Sequence, residues 1–119
     1  MFDEGVRIDA FHSDGVLVLS VCGEIDMASA PELQAVLERS VARTRRVSLD
    51  LSKVSFMDSS GVNLLLRAAG MSRALGGSLA VVEASRPVRQ VLQISGVADI
   101  VGLEPELAKV AAATCHFVK

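Results

Sequence analysis

The chain has few residues of the kinds that bind nucleic acids. Among its 119 residues there is no tryptophan and no tyrosine, and aromatic residues make up only 3% of the total. Single-stranded bases would therefore find no aromatic platforms on which to stack. The 12 basic and 14 acidic residues give a net charge of −2, so neither a nucleic acid nor an anionic membrane surface is an expected partner.

Cysteine is scarce too, and no apolar run is long. Cys22 and Cys115 lie near opposite ends of the chain, and in a reducing compartment we expect free thiols. A redox pair stays open, because it depends on a Cα separation that sequence does not give. No apolar run approaches the roughly 18 residues of a membrane span, and the acidic start, with Asp3 and Glu4, is unlike a secretory signal. We expect a cytoplasmic protein without membrane insertion.

The usual motifs of catalysis and of metal or cofactor binding are missing. There is no G-x-S-x-G elbow around Ser59, no metal-ligand spacing of cysteines or histidines, and no nucleotide-binding glycine pattern. Asp26 and Asp58 follow strands that are candidate parallel neighbours, and two carboxylates beside a serine resemble an acid/base pair. No second domain or aromatic cleft is present to hold a substrate. We therefore predict no enzyme, no cofactor and no metal.

Aliphatic residues are abundant, and their spacing predicts the strands. The chain is 50% hydrophobic, and nearly continuous apolar runs at residues 16–22 and 79–82 predict buried strands. Alternation of apolar and polar residues at 47–51 predicts a half-buried strand. Asp14 and Gly15 stand between two apolar runs, which predicts a tight hairpin.

Helical spacing of apolar residues predicts helices between these strands. Ser29 and Glu32 have the spacing of a capping box, with Pro31 in the first turn of the first helix. The third helix is expected to open at Ser85 and to stop at Gly96. A short last strand at 99–101 and a fourth helix from residue 104 complete the pattern. In the second helix the residues predicted to face the core are Val62, Leu65, Leu66 and Ala69.

The predicted order of elements is β-β-α-β-α-β-α-β-α. Strands that alternate with helices imply parallel pairing, with right-handed crossovers. The sequence therefore predicts one α/β domain over residues 1–119, with its core at about 6–113. Its sheet is mixed and mostly parallel, with four to five strands covered by about four helices.

Residues 54–62 lie between a predicted strand and the second helix. Asp58 and Ser59 fall at the N-terminus of that helix, where a side-chain oxygen can accept from unpaired backbone N–H groups. A phosphate on a serine there would meet the positive end of the helix dipole, so the helix would tolerate it. The simpler interpretation is that residues 58–60 only cap the helix.

Two segments together carry a resemblance to a known family. The sequence F-M-D-S-S-G at 56–61, after an apolar strand, and G-E-I-D at 23–26 resemble the STAS domain of bacterial anti-sigma-factor antagonists. The order of elements agrees with this family over residues 6–113. The two motifs at this separation are fairly specific, whereas either alone would be weak.

The resemblance implies a protein that switches partners. In that family the unphosphorylated antagonist binds an anti-sigma factor that is also a serine kinase, and so frees the sigma factor. The kinase then phosphorylates the serine that matches Ser59, which ends binding, and a PP2C-type phosphatase restores it. Asp26 matches an acidic position tied to partner binding, and Asp58, Ser60 and Gly61 match the motif around the phosphoacceptor.

After Gly61 many relatives continue with small or aliphatic residues, whereas this chain has Val62-Asn63. Asn63 and Arg67 lie one helical turn apart on an expected exposed face of the helix, and Met71 continues this stripe. The stripe is either a surface that contacts the partner or a solvated helix face. Two other functions stay open. One is a soluble STAS subunit of a transport or membrane-lipid assembly, and the other is a small enzyme or nucleotide-binding module.

Overall fold

Strands and helices alternate along the chain after an initial hairpin. The computed structural model describes residues 5–96. The elements in this range are β1 (Val6–Ser13), β2 (Val16–Ile25), α1 (Ala30–Arg43), β3 (Arg46–Met57), α2 (Ser59–Ala74), β4 (Ser78–Ala84) and α3 (Arg86–Ser95). The predicted α/β class is confirmed. The predicted strand at 99–101, the fourth helix and Cys115 lie outside the described residues.

The four strands form one mixed sheet in the order β1-β2-β3-β4. β1 is antiparallel to β2, whereas β2 with β3 and β3 with β4 are parallel. Ser13 pairs with Val16, so the hairpin loop is Asp14-Gly15, as predicted. Both loop residues have positive φ, 52° and 81°, which is the conformation that Asp-Gly favours in a two-residue hairpin.

All three described helices pack on one face of the sheet. The main core cluster joins side chains of β2, β3 and β4, such as Leu19, Leu49 and Val81, to side chains of the helices, such as Leu37 and Leu65. Because β3 and β4 are parallel, the α2 helix that connects them runs back from the carboxyl end of β3 to the start of β4. None of the described helices has the length and apolar character needed to span a membrane.

The prediction of a half-buried strand at residues 47–51 is wrong. Ser48 is only 3% exposed and Asp50 only 1%, so β3 is buried on both faces there. Polar groups can be buried where hydrogen bonds replace water, and the Asp50 carboxylate accepts from the backbone N–H of Ser52 at 2.9 Å. Polar and apolar residues therefore alternate along residues 47–51, but the polar side chains are buried as well.

The predicted inward face of α2 is wrong at one position. Leu66 is 37% exposed, whereas Leu64 and Leu65 are each 1% exposed and face the sheet. A 100° step per residue places Leu66 on the side opposite Ala68, which is fully buried. The helix therefore presents Leu66 to solvent.

α3 follows the predicted pattern at both ends. Ser85 is its N-cap residue, Pro87 lies in its first turn, and Gly96 has a left-handed φ of 75° at its C-cap. The Ser85 hydroxyl does not cap the helix, however, and donates instead to the backbone carbonyl of Val54 at 2.6 Å. This bond ties the start of α3 to β3.

Candidate functional site

Two aspartates follow the ends of neighbouring parallel strands. Ile25, the last residue of β2, pairs with Met57, the last residue of β3. Asp26 and Asp58 come next, and the Asp58 backbone N–H donates to the Ile25 carbonyl at 3.2 Å. Because parallel strands end at the same edge of a sheet, both carboxylates lie at one edge, as the sequence suggested.

Asp58 is the N-cap residue of α2. Its backbone is extended, and its Oδ1 accepts from the backbone N–H of Ser60 at 2.9 Å. Its carbonyl accepts from the backbone N–H of Gly61 at 3.0 Å, which begins the helical bonding. The cap is therefore made by Asp58, and Ser59 is the first helical residue.

Ser59 and Ser60 differ in accessibility. Ser59 is exposed, whereas Ser60 is half-buried and its backbone N–H is bound by Asp58. Within residues 5–96 the Ser59 hydroxyl makes no hydrogen bond. It stands at the positive end of the helix dipole, where an added anion is favoured.

The Asp26 carboxylate organises the turn between β2 and α1. Its Oδ1 accepts from the backbone N–H groups of Ala28 and Ser29, both at 3.0 Å, and lies 3.2 Å from the Ser29 hydroxyl. The backbone N–H of Ser29 is the largest of the causes that lower the pKa of Asp26 below its ordinary value of 3.8. Asp26 is therefore an anion at neutral pH.

The predicted capping box of α1 is wrong. Ser29 is the N-cap residue but its side chain makes no cap hydrogen bond. Its hydroxyl donates to the Glu24 carbonyl at 2.7 Å and accepts from the backbone N–H of Asp26 at 3.0 Å. These bonds compete with capping for the same hydroxyl. Ser29 thus holds the Asp26 turn in place.

Gly61 lies beneath the surface of the site. A Cβ atom added there would overlap Met57 Cγ and lie 3.0 Å from Ile25 Cγ2. Glycine therefore lets the first turn of α2 pack closely on the ends of β2 and β3. Its contribution to the site is indirect, through the position of Ser59.

Asn63 and Arg67 are both exposed on α2, as predicted, and the stripe continues to half-buried Met71.

Sequence reasoning missed the apolar residues that are exposed around the site. Met27 is 79% exposed in the turn after β2, and Phe56 is 47% exposed near the end of β3. Phe56 could have been recognised as a site residue from the sequence, because it is one of only four phenylalanines and opens the F-M-D-S-S-G motif at 56–61.

The described residues include no group of three or more potential metal ligands. Cys22 is a half-buried free thiol. The question of a redox pair is not tested, because Cys115 lies outside the described residues. The candidate site is formed by the exposed hydroxyl of Ser59, the carboxylates of Asp26 and Asp58, and the N-terminus of α2.

The mixed sheet, the helices on one of its faces and a serine at an exposed helix N-terminus define a small α/β domain. The family model named STAS domain matches residues 7–110. The chain belongs to the STAS domain family, which confirms the resemblance carried by residues 23–26 and 56–61.

Among the proteins similar to this chain are anti-sigma factor antagonists. The anti-sigma F factor antagonist of Paenibacillus polymyxa is 29% identical over 97 residues, which cover 80% of this chain and 83% of that protein. The crystal structure of an anti-sigma factor antagonist from Mycobacterium paratuberculosis is 30% identical and has a TM-score of 0.79, over 92% of this chain and 94% of that one. Both proteins are named as anti-sigma factor antagonists.

A more distant structure shows the same fold. The Bacillus cell fate determinant SpoIIAA in its phosphorylated form has a TM-score of 0.66 at 22% identity. The match covers 90% of this chain and 99% of that one. This likeness shows that the two chains share a fold.

Proposed function

We propose that the chain is an anti-sigma factor antagonist of the bacterial cytoplasm. In its unphosphorylated form it binds an anti-sigma factor and so releases the sigma factor, and phosphorylation of Ser59 switches this binding off. The names of its relatives support the first part. The observation that carries the second part is the exposed Ser59 hydroxyl at the N-terminus of α2, beside Asp58.

Ser59 is a better phosphoacceptor than Ser60 because a kinase must reach the hydroxyl. Ser59 is exposed and its hydroxyl makes no hydrogen bond within the described part of the chain. Ser60 is half-buried against the Asp58 cap. A phosphate on Ser60 would be added within that cap, whereas one on Ser59 would extend into solvent.

Phosphorylation would change the surface without melting the fold. The phosphate adds a charge of about −1.5 to −2, which the N-terminus of α2 stabilises. The same charge lies near Asp58 and Asp26, both held in place by backbone N–H groups. Together with any acidic group of a partner, this repulsion is worth a few kcal/mol, or about a hundredfold in affinity.

Catalysis belongs to the partners in this proposal. The anti-sigma factor is of the serine-kinase type and transfers the γ-phosphoryl group of its ATP, with Mg²⁺, to the Ser59 oxygen. The hydroxyl proton goes to a base of the kinase, and ADP is released. A PP2C-type phosphatase hydrolyses the phosphoserine and restores the binding form.

The proposal is tested by incubating the protein with the anti-sigma kinases of its organism, ATP and Mg²⁺. Intact-mass and peptide mass spectrometry are expected to find one phosphate on Ser59. Ser59→Ala should abolish it and Ser60→Ala, the matched control, should retain it. In a binding titration with the same anti-sigma factor, Ser59→Asp should weaken the affinity and Ser59→Ala should preserve it.

A phosphate on Ser60, or one that persists in Ser59→Ala, would contradict the assignment of Ser59. A folded protein that no kinase modifies would contradict the switch as a whole. In that case the second candidate, a soluble STAS subunit of a transport or membrane-lipid assembly, would be favoured by co-purification with membrane proteins.

A further inference from the structure

β1 is an edge strand of the sheet, and within residues 5–96 no strand pairs with its outer side. Its eight residues pair with β2 without a bulge, from Val6 with Gly23 to Ser13 with Val16. The strand also contains no proline. Short length, bulges and prolines are common means of protecting an edge strand from pairing with another chain, and β1 has none of them. The described structure therefore leaves this edge open to a further strand.

The backbone groups of β1 that point away from β2 belong to every second residue. A two-residue hairpin loop is closed by a residue pair that exchanges backbone hydrogen bonds, here Ser13 with Val16. Hydrogen-bonded and non-hydrogen-bonded pairs then alternate along an antiparallel ladder. The N–H and C=O groups of Val6, Ile8 and Ala10 therefore point outward, where no described strand pairs with them.

The two charged side chains of β1 are complementary to themselves in a second copy of the strand. Arg7 is exposed and Asp9 is half-buried, and neither forms an ion pair in the described part of the chain. Both lie on one face of the strand, because they are two residues apart. If two β1 strands pair antiparallel with Ile8 opposite Ile8 of the second copy, Arg7 of each copy lies opposite Asp9 of the other.

This register is favoured over the two neighbouring ones by charge. Sliding one strand by two residues places either Asp9 opposite Asp9 or Arg7 opposite Arg7, and like charges directly opposite each other destabilise a sheet. With Ile8 opposite Ile8, the outward N–H and C=O groups of both strands meet and form about six hydrogen bonds. Val6 and Ile8 already pack in part against the main core cluster, so the second strand extends an apolar face.

We propose that two copies of this chain associate through β1 in this register and form a symmetric dimer. The two-fold axis passes between the two Ile8 residues, perpendicular to the sheet, so the described strands of both copies form one continuous sheet. The described helices of both copies then cover the same face of that sheet. Because the strands are antiparallel, the edges that carry Asp26 and Asp58 lie at opposite ends of the dimer. The inference goes beyond the proposed function and does not depend on it.

Sedimentation equilibrium of the full chain over a series of concentrations tests the dimer. The wild-type mass should rise from that of one chain to that of two. Arg7→Asp places carboxylates opposite each other at two points of the interface, and Asp9→Arg does the same with guanidinium groups. Each variant should therefore weaken dimerisation at least tenfold. Arg39→Asp is the matched control, because it reverses a charge at an exposed position of α1 and should leave the dimer unchanged.

The two single variants should restore the dimer when they are combined. One has two negative charges on β1 and the other has two positive charges, so an equimolar mixture should form a heterodimer. The double variant Arg7→Asp/Asp9→Arg should dimerise as well, because it only exchanges the positions of the two charges. Ala10→Pro removes an outward N–H without removing a bond to β2, so it should give a monomer. Thermal unfolding of each variant checks that it is folded.

Three results would overturn the inference. One is a wild-type chain that stays monomeric up to about 1 mM. Another is a dimer that withstands both single charge reversals, since a different surface would then hold it together. The third is a folded double variant and a mixture of folded single variants that both stay monomeric, because the two charges would then not face each other. None of these measurements uses an anti-sigma factor, so they give the same answer whether or not the proposed function holds.

Discussion

The close packing of Gly61 gives the sharpest stability prediction. The hydrogen that Gly61 carries in place of a Cβ faces Met57 and Ile25, which form the ends of the two central strands. Gly61→Ala adds one methyl group at a point where no space is left. Elsewhere in the same helix, Gly70→Ala adds the same group where a Cβ meets nothing within 4 Å. Both substitutions are Gly→Ala within α2, at Gly61 in its first turn and at Gly70 in its interior.

The expected magnitudes follow from two opposing effects. Alanine is better than glycine in a helix by about 0.5–1 kcal/mol, which applies at both positions. Overpacking a buried position costs about 1–3 kcal/mol, which applies only at Gly61. We therefore expect Gly61→Ala to lower the free energy of unfolding by about 0–2.5 kcal/mol. Gly70→Ala should raise it by about 0.5–1 kcal/mol.

Urea unfolding of the two variants and of a double variant measures these effects. Met57→Ala removes the Cγ and Sδ atoms that the new methyl group would meet, so in that background Gly61→Ala should cost much less. The coupling between positions 57 and 61 should be about 1–3 kcal/mol. An equal change in stability for both glycines, or a coupling near zero, would refute the reasoning that close packing requires Gly61.

Three further substitutions test individual hydrogen bonds. Asp26→Asn should destabilise the protein at neutral pH, because the folded state lowers the pKa of Asp26. The difference in unfolding free energy between wild type and variant should be fully present above the ordinary pKa of 3.8. It should vanish as the pH falls through the lowered pKa of the folded protein. Urea unfolding across about pH 2 to 7 measures this, and a difference that grew in acid would contradict it. Ser85→Ala should cost about 1 kcal/mol, because its hydroxyl donates to the Val54 carbonyl at 2.6 Å. Ser72→Ala should instead stabilise by about 1 kcal/mol, because the buried Ser72 hydroxyl has no hydrogen-bond partner in the described structure; a loss of stability would show that it has one.

The parts of the fold that sequence predicted best are those fixed by backbone geometry. Asp14-Gly15 is favoured in a hairpin because both residues take positive φ, and Gly96 ends α3 for a similar reason. The common edge of Asp26 and Asp58 followed from the direction of parallel strands. Such features depend on few residues, so a short stretch of sequence contains them.

The features that sequence did not predict depend on competition between contacts. Ser29 has the spacing of a capping serine, but its hydroxyl binds Glu24 and Asp26, which are brought near by the turn. Leu66 has the chemistry of a core residue, but the rotation of α2 is set by the packing of Leu64 and Leu65 on the sheet. The exposure of Phe56 and the empty space beside Gly70 likewise depend on how the helices and strands pack together, which a short stretch of sequence does not show.

The bond between the Asp58 N–H and the Ile25 carbonyl has a consequence for biosynthesis. It joins the ends of two parallel strands that α1 separates in the chain, so the two halves of the site come together only when these strands pair. On a nascent chain the two aspartates can come together only after β3 has left the ribosome and paired with β2. Under the proposed function, newly made protein is therefore expected to bind its partner only after this pairing, and a fragment that ends before β3 is expected not to bind.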